Sequence, residues 1–267
     1  MSIGSRHVLL IALAATLGWA AVGVAFGAGD DGGFKVSRSS VAPNDAYFAG
    51  RKPATLRYVF RSAGHSRGVK VSVVRVATRR VLASWRRRNL APGRVHTRRW
   101  RGQARDGLYA FTVRSPGLPV FSAGRFHLHG HRFPVKGGHG TRGPIGEFGV
   151  PRSGGRVHEG FDVTAPCGTP LLAIRAGRVE RAGYDPHLYG HFIEVDARQS
   201  RLDYFYAHLI RPAAARSGAL VKTGERLGKI GRTGNAAGTP CHLHAELRRS
   251  GRLIDPEQRL RRWDRYG

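Results

Sequence analysis

Alternation of apolar and other residues in short segments is the feature that most limits what this chain can fold into. In several stretches of the first half every second residue is apolar or aromatic, as in a strand that buries one face. Three such sets are Leu56, Tyr58 and Phe60; Val69, Val71 and Val73; and Tyr109, Phe111 and Val113. Turn-forming pairs such as Ala63-Gly64 and Asp106-Gly107 separate these stretches. Residues 34–130 are therefore predicted to form an all-β sandwich.

The second half changes to glycine-rich loops between short apolar segments. The 37 glycines and single methionine of the chain also favour β structure over a helical bundle. Strands are predicted at 171–174, 192–195, 202–208, 227–230 and 242–247, and a helix at 256–263. A further strand-like run, 120–128, either closes the first domain or bridges to the second. The chain is thus predicted to be mainly β, with domains at 34–130 and 131–260.

The first 28 residues have the layout of an export segment. Arg6 and His7 precede an uncharged apolar run over residues 8–28, and Asp30 follows it. This arrangement is typical of a signal peptide, and the run is also nearly long enough for an uncleaved N-terminal membrane anchor. A buried core helix fits these flanks least well. Either export reading places the rest of the chain outside the cytoplasm, with membrane contact only if the segment stays uncleaved.

Cys167 and Cys241 are the two cysteines of the sequence. In an exported protein two thiols most simply form one disulfide, and that is the prediction. Two independent buried thiols are the alternative.

The charge is strongly basic, with 45 Lys and Arg against 17 Asp and Glu and a formal net charge of +28. Such a charge attracts polyanions, which include nucleic acids, anionic lipid surfaces and acidic cell-wall polymers. Export argues against a nucleic acid partner. Between Asp45 and Asp106 there is no acidic residue, so this Arg-rich part is either a footprint for anionic wall polymers or an ordinary solvated face.

Residues 241–247 contain a pair of histidines in a strand-like pattern. Leu243 lies between His242 and His244, so a strand would place both imidazoles on one face and the leucine on the other. Two neighbouring imidazoles suit metal binding or proton transfer, although exposed histidines on a surface strand would give the same pattern. By the same alternation His208 is predicted to share a strand face with Tyr204 and Tyr206.

His158 and Asp162 are a second pair of metal-ligating residue types. In an extended strand, positions four apart are separated by roughly 13 Å, too far for bonds of about 2 Å to one metal. Gly160 between them permits a bend that would bring the two side chains together.

These motifs in this order, His158-x-Gly160-x-Asp162, Tyr206-Ala207-His208-Leu209 and His242-Leu243-His244, resemble the LytM/lysostaphin-type zinc metallopeptidases of family M23. The similarity covers roughly residues 131–260. It continues through Gly155-Arg156-Val157-His158, Ala165-Pro166-Cys167-Gly168-Thr169-Pro170, Ala176-Gly177-Arg178-Val179 and Gly231-Arg232-Thr233-Gly234-Asn235. Upstream, Trp100-Arg101-Gly102 with Asp106-Gly107-Leu108-Tyr109 resembles the immunoglobulin-like domain of flagellar hook-capping proteins.

The M23 resemblance implies an antiparallel β core with its site in a groove, and cleavage of peptide bonds in bacterial peptidoglycan. It implies one Zn²⁺ held by His158, Asp162 and His244, with a fourth position open for a water molecule whose pKa the metal lowers. His242 is then the general base, and His208 orients water or stabilises the developing oxyanion. The residues alone leave open whether one or both of His242 and His244 bind the metal.

One departure from the family concerns Tyr189-Gly190-His191, because the family commonly has Asn where this chain has His191. A disulfide between Cys167 and Cys241 would join the segment after Asp162 to the strand that bears His244. The rival function is a catalytically silent M23-like protein that binds the wall and regulates another hydrolase.

Overall fold

Two groups of β-sheets account for most of this computed structural model, which describes residues 33–63, 68–102, 105–197 and 200–266. The predicted mainly β class is confirmed: these residues form eighteen strands and one α-helix. The predicted export segment at 1–28 lies outside the described residues. Among the described residues no helix has both the length and the apolar character needed to cross a bilayer.

The first group is a pair of sheets between residues 35 and 129. One sheet has the order β1-β3-β6 and the other β2-β8-β7-β4-β5. Their bounds are β1 Lys35–Ala42, β2 Asp45–Tyr47, β3 Ala54–Arg61, β4 Val69–Arg75, β5 Val81–Arg87, β6 His96–Trp100, β7 Gly107–Arg114 and β8 Phe121–His129. The strand-like run at 120–128 is β8, which pairs with β7 and β2, so it completes this group.

One cluster of buried side chains lies between these two sheets. Leu56 and Phe60 of β3 share it with Val71 of β4, Phe111 of β7 and Phe126 of β8. The alternation seen in the sequence explains this packing, because β3 buries Leu56 and Phe60 while the intervening Arg57 is exposed. The predicted β-sandwich is confirmed, and its likeness to hook-capping proteins stays a prediction.

The second group is an eight-stranded antiparallel sheet with the order β15-β12-β13-β14-β17-β10-β9, in which β18 also pairs with β17. A separate two-stranded sheet joins β11 and β16. The bounds are β9 Gly140–Thr141, β10 Phe161–Thr164, β11 Pro170–Leu172, β12 Gly177–Asp185, β13 Gly190–Ala197, β14 Leu202–Leu209, β15 Leu220–Val221, β16 Arg226–Lys229, β17 His242–Arg249, β18 Arg252–Ile254 and α1 Glu257–Asp264.

Strand β17 lies in the interior of this sheet, between β14 and β10. Its first six residues are all buried. Leu243 and Leu247 belong to the main apolar cluster, as predicted for the side opposite the histidines, and α1 adds Leu260 and Trp263 to the same cluster.

Direct contacts join the sandwich to the second group. The Thr223 hydroxyl donates to the Phe48 carbonyl, and Gly50 forms a bridge with Thr223. The Tyr47 hydroxyl donates to the Tyr266 carbonyl at 2.6 Å. These contacts fix the region that follows β2 against the second group of sheets.

Candidate metal centre

Three buried side chains converge on one point beside β17. His158 Nε2 lies 3.0 Å from Asp162 Oδ1 and 2.9 Å from His244 Nδ1, and His244 Nδ1 lies 3.1 Å from the same Asp162 oxygen. In the described part of the chain these three residues form a group whose ligand atoms could hold a metal ion. The structure therefore brings together the three residues that the family resemblance nominated.

Strand pairing and a bend place these side chains. Asp162 of β10 lies directly opposite His244 of β17 in the antiparallel ladder. A bend at Gly160, which the separation of His158 and Asp162 required, brings the first histidine back to the pair. A Cβ on Gly160 would lie 2.6 Å from the Ala245 carbonyl oxygen and 2.8 Å from His244 Cε1, so this position also has no room for a side chain.

The hydrogen bonds of the two histidine rings indicate which nitrogens carry protons. His158 Nδ1 lies 2.7 Å from the Glu147 carbonyl oxygen, which can only accept, so Nδ1 donates and Nε2 is bare in the neutral ring. His244 Nε2 lies 3.3 Å from Glu246 Oε1, so Nε2 donates, and Nδ1 is bare when the ring carries one proton. With one proton on each ring, two bare nitrogens and a carboxylate oxygen face one another, and either a further proton or a metal cation between them relieves this arrangement.

The donor set and its spacing fit zinc. Two imidazole nitrogens and one carboxylate oxygen are typical of a catalytic zinc with three protein ligands. Tetrahedral bonds of about 2.0–2.1 Å put neighbouring ligand atoms about 3.3 Å apart, close to the separations seen here.

Asp162 is oriented by a group outside this trio. Arg142 Nη1 donates to Asp162 Oδ2 at 3.3 Å, while Oδ1 faces His158 and His244. Burial opposes the charged carboxylate, but the close contacts with the His158 and His244 rings outweigh it and hold the pKa of Asp162 well below its usual range.

His244 lies where the protein favours a positive charge. Burial lowers the pKa of the ring, but the hydrogen bonds to Asp162 and Glu246 outweigh burial and raise that pKa to about 9. A bound cation would take the place of the second proton beside Asp162, while Nε2 keeps its hydrogen bond to Glu246.

His208 reaches the site by a route that the alternation did not predict. Its φ of 64° is in the left-handed region, and the pairing of β13 with β14 shifts between His191 and Ile193. The predicted shared face with Tyr204 and Tyr206 is therefore wrong, because the tyrosines lie in the apolar core while the His208 ring lies 4.9 Å from the His242 ring, centroid to centroid.

His242 and His208 are held alike. His242 Nδ1 lies 2.9 Å from the Pro240 carbonyl oxygen, and His208 Nδ1 lies 2.9 Å from that of Thr233. Each Nδ1 therefore donates and each Nε2 is bare. Burial lowers the pKa of His242, and burial with the nearby His244 and His242 lowers the pKa of His208 to about 3. Both rings are neutral at neutral pH and can accept a proton.

A cavity of about 630 Å³ opens onto these residues. All five predicted site residues line it: His158, Asp162, His208, His242 and His244. Its rim includes the exposed apolar side chains Ile145 and Val157 as well as Tyr189. The described lining residues all come from positions 142–246, which is consistent with the predicted groove.

The predicted disulfide between Cys167 and Cys241 is confirmed. The Ala165 amide also donates to the Cys241 carbonyl at 3.2 Å. The bridge and this hydrogen bond join the segment after β10 to the residue that precedes β17.

Several residues around the site were not assigned a role from the sequence. Glu246 belongs to the same alternating pattern as His242 and His244, and that pattern could have identified it as a site residue. No sequence pattern pointed to Arg142. His191, which departs from the family pattern, lies outside the cavity lining; its ring contacts that of Tyr184 at 4.6 Å between centroids.

Comparison with known proteins places this site in a class. Residues 156–256 match the family described as Peptidase family M23. His158, Asp162 and His244 lie within this segment, so the part of the chain that bears the site is similar to peptidase family M23.

Two curated relatives and one solved structure illustrate the match. The chain is 33% identical over 118 residues to a lipoprotein NlpD/LppB homolog of Pseudomonas aeruginosa, covering 44% of this chain and 37% of the relative. It is 32% identical over 165 residues to an L-Ala–D-Glu endopeptidase of Bacillus subtilis, covering 56% and 49%. The lysostaphin catalytic domain from Staphylococcus simulans is 27% identical, with 48% and 92% covered and a TM-score of 0.39. The chain thus spans less than half the length of these curated relatives.

Proposed function

We propose that this protein is an extracytoplasmic zinc metalloendopeptidase that hydrolyses peptide bonds of bacterial peptidoglycan, in stem peptides or cross-bridges. The observation that carries the proposal is the convergence of His158, Asp162 and His244 in a groove that also contains His208 and His242. The M23 match and the name of the Bacillus subtilis relative, an L-Ala–D-Glu endopeptidase, support the reaction class.

Each site residue has a part in this reaction. His158, Asp162 and His244 would hold one Zn²⁺, which when bound supplies a Lewis acid and lowers the pKa of a bound water. His242 is the general base, because its bare Nε2 lies beside the metal site, 3.8 Å from Asp162 Oδ2. His208 supplies a second neutral ring that orients water or stabilises the developing oxyanion. Ile145 and Val157 offer apolar contacts to a peptide in the groove.

The test compares the wild type with His244→Ala. Zinc content and digestion of purified peptidoglycan are measured for both proteins, and mass spectrometry of the released ends identifies the bond that is cut. The wild type should bind one zinc and digest the wall, and the variant should do neither. A wild type without zinc and without digestion overturns the enzyme proposal. Zinc binding without digestion would instead favour the silent regulator.

We also propose that the sandwich holds the enzyme at an anionic wall polymer. The exposed residues Lys35, Arg57, Arg61 and Arg99 of β1, β3 and β6 are here called the basic face. Lys35 and Arg61 are directly paired across β1 and β3, an arrangement of like charges that destabilises the sheet unless an anion lies nearby.

Cell-wall binding measured over a salt series tests the basic face. The triple variant Arg57→Gln, Arg61→Gln and Arg99→Gln should bind more weakly than the wild type, and wild-type binding should fall as salt rises. The matched control neutralises Arg226, Arg249 and Arg252, which are exposed on β16, β17 and β18. Binding that does not depend on salt, or equal loss in both variants, contradicts this role.

A further inference from the structure

Glu246 is a fully buried carboxylate two residues beyond His244 in β17. Because strand side chains alternate, it projects from the same face as His242 and His244. Its two oxygens have different partners. His244 Nε2 donates to Oε1 at 3.3 Å, and Arg248 Nη2 donates to Oε2 at 2.7 Å.

This arrangement distinguishes His244 from the other described histidines of the site. The rings of His158, His208 and His242 each donate Nδ1–H to a neutral backbone carbonyl. His244 is turned the other way, because its Nε2 donates to a carboxylate and its Nδ1 faces the metal position. A charged acceptor holds a donor more firmly than a neutral carbonyl does.

The burial of this carboxylate is offset by a series of alternating charges. Arg248 contacts Glu246 and also donates Nη1 to Glu194 at 2.8 Å. Glu194 in turn accepts from Arg181 at 2.6 Å, and Arg181 reaches solvent with 57% of its side chain exposed. The series extends from β17 to β13 and β12. A buried charge is costly unless it is paired and hydrogen-bonded, and these contacts satisfy Glu246 on the side away from His244.

We propose that Glu246 is a positioning residue for the metal site, an inference that rests on the proposed zinc function. Its carboxylate fixes His244 with the proton on Nε2 and directs the lone pair of Nδ1 at the metal. Its negative charge also makes His244 Nδ1 a stronger electron-pair donor to the metal. Together with the charge of Asp162, it balances the two positive charges of Zn²⁺. Carboxylates that accept from metal-bound histidines commonly change metal affinity by about 10–100-fold.

The main test measures Zn²⁺ affinity in the full chain by competition with a chromophoric chelator. Glu246→Gln should bind Zn²⁺ about 10–100-fold more weakly than the wild type. The matched control is Glu159→Gln, because Glu159 lines the same cavity and accepts a hydrogen bond from the Tyr189 hydroxyl, at 3.4 Å, instead of from a residue of the metal site. The control should keep the wild-type affinity.

A second variant tests the same inference if Glu246→Gln fails to fold. Glu194→Gln leaves Glu246 in place but removes a charge that positions Arg248, so Zn²⁺ affinity should fall several-fold, less than in Glu246→Gln. Thermal unfolding without metal identifies any variant that does not fold. The ¹⁵N chemical shifts of the His244 ring in the zinc-loaded wild type should show a protonated Nε2.

The outcomes separate this inference from the proposed function. A wild type that binds no Zn²⁺ contradicts the zinc proposal itself. A wild type that binds Zn²⁺ while folded Glu246→Gln binds it equally well overturns the role of Glu246 alone. If Glu246→Gln does not fold but Glu194→Gln does, an unchanged Zn²⁺ affinity of Glu194→Gln overturns the role of Glu246. A His244 ring that is protonated on Nδ1 in the zinc-loaded protein does the same.

Discussion

His208 has a backbone conformation that L-residues with bulky side chains adopt rarely, with a φ of 64° at the end of β14. Such a conformation costs on the order of 1–3 kcal/mol and persists where the surrounding structure enforces it. Here the hydrogen bond from Nδ1 to the Thr233 carbonyl and the neighbouring His242 ring hold the side chain in the site. A single residue thus carries local strain in exchange for its place beside the metal position.

The division between ligand and base gives the first prediction. His158→Ala removes a metal ligand, so zinc content and peptidoglycan digestion should both be lost. His242→Ala leaves the three ligands in place, so zinc should be retained while the digestion rate falls by about 10²–10⁴-fold, the usual contribution of a general base. Metal analysis and turnover on the same preparations measure both. Loss of zinc in His242→Ala would mean that His242 is also a ligand.

Gly160 gives a second prediction at this scale. In Gly160→Ala the new methyl group would lie under 3 Å from His244 and the Ala245 carbonyl, so β10 and β17 must separate locally. Zinc affinity should fall, and the melting temperature should drop with it. Gly154→Ala is the control for a general effect of replacing a glycine in this segment. Nothing lies within 4 Å of a Cβ at Gly154, so only the positive φ of that residue opposes the substitution. A Gly160→Ala protein with unchanged zinc affinity contradicts the tight approach.

At the level of elements, β17 connects the parts of the site. It pairs with β10, which bears Asp162, and with β14, which bears His208, and its first residue follows the bridged Cys241. The disulfide therefore holds the start of β17 close to the segment that follows β10. The disulfide thus stabilises the relative position of β10 and β17, the two strands that bear Asp162 and His244.

The disulfide gives the third prediction. The bridge closes a loop with a sequence separation of 74. Loop-closure entropy for such a loop corresponds to about 4 kcal/mol, and native disulfides are typically worth 2–5 kcal/mol. The double variant Cys167→Ala, Cys241→Ala should therefore unfold at lower denaturant and bind zinc more weakly. Chemical denaturation of the wild type with and without reductant provides the control, and equal midpoints would contradict a stabilising role.

Two of the three strands that carry the site, β14 and β17, were predictable because their patterns are strong, whereas β10 was not predicted as a strand. The alternation at 202–208 and 242–247 identified β14 and β17, and the pattern at 256–263 identified α1 within one residue at each end. The edge strands β1, β5 and β6 were missed, since their many basic and exposed residues leave little alternation. The short strands β2, β9, β10, β15 and β18 and the longer β12 were also missed. The site residues followed from the family resemblance. Spacing alone could not anticipate the turn of the His208 backbone, and it gave no reason to single out Arg142.

At the scale of the whole molecule, His131 lies between β8 and the second group of sheets. Its ring stacks on Trp263 of α1 with 4.6 Å between centroids, and its Nε2 is buried without a hydrogen-bond partner. Burial, reinforced by Arg175, lowers the pKa of His131 to about 4. A neutral ring is thus part of the packing between the two halves of the chain.

This histidine gives the fourth prediction. Its folded pKa of about 4 lies below the ordinary value of 6.5, so between these pH values the unfolded chain binds a proton that the folded protein does not. The stabilisation is therefore complete above pH 6.5 and is lost as the pH falls toward 4, by about 3 kcal/mol. His131→Phe keeps the ring but not the proton site, so its free energy of unfolding should depend less on pH in this window. Parallel pH curves for the two proteins would contradict the role of His131.

A few direct contacts join the two proposed domains, 34–130 and 131–260. Each has its own core, because the buried apolar side chains form two separate clusters. Two hydrogen bonds connect them, one from Thr223 to Phe48 and one from Tyr47 to Tyr266. With a wall polymer held on the basic face, as proposed, these contacts would set the distance from that polymer to the groove and so limit which peptides the site could reach.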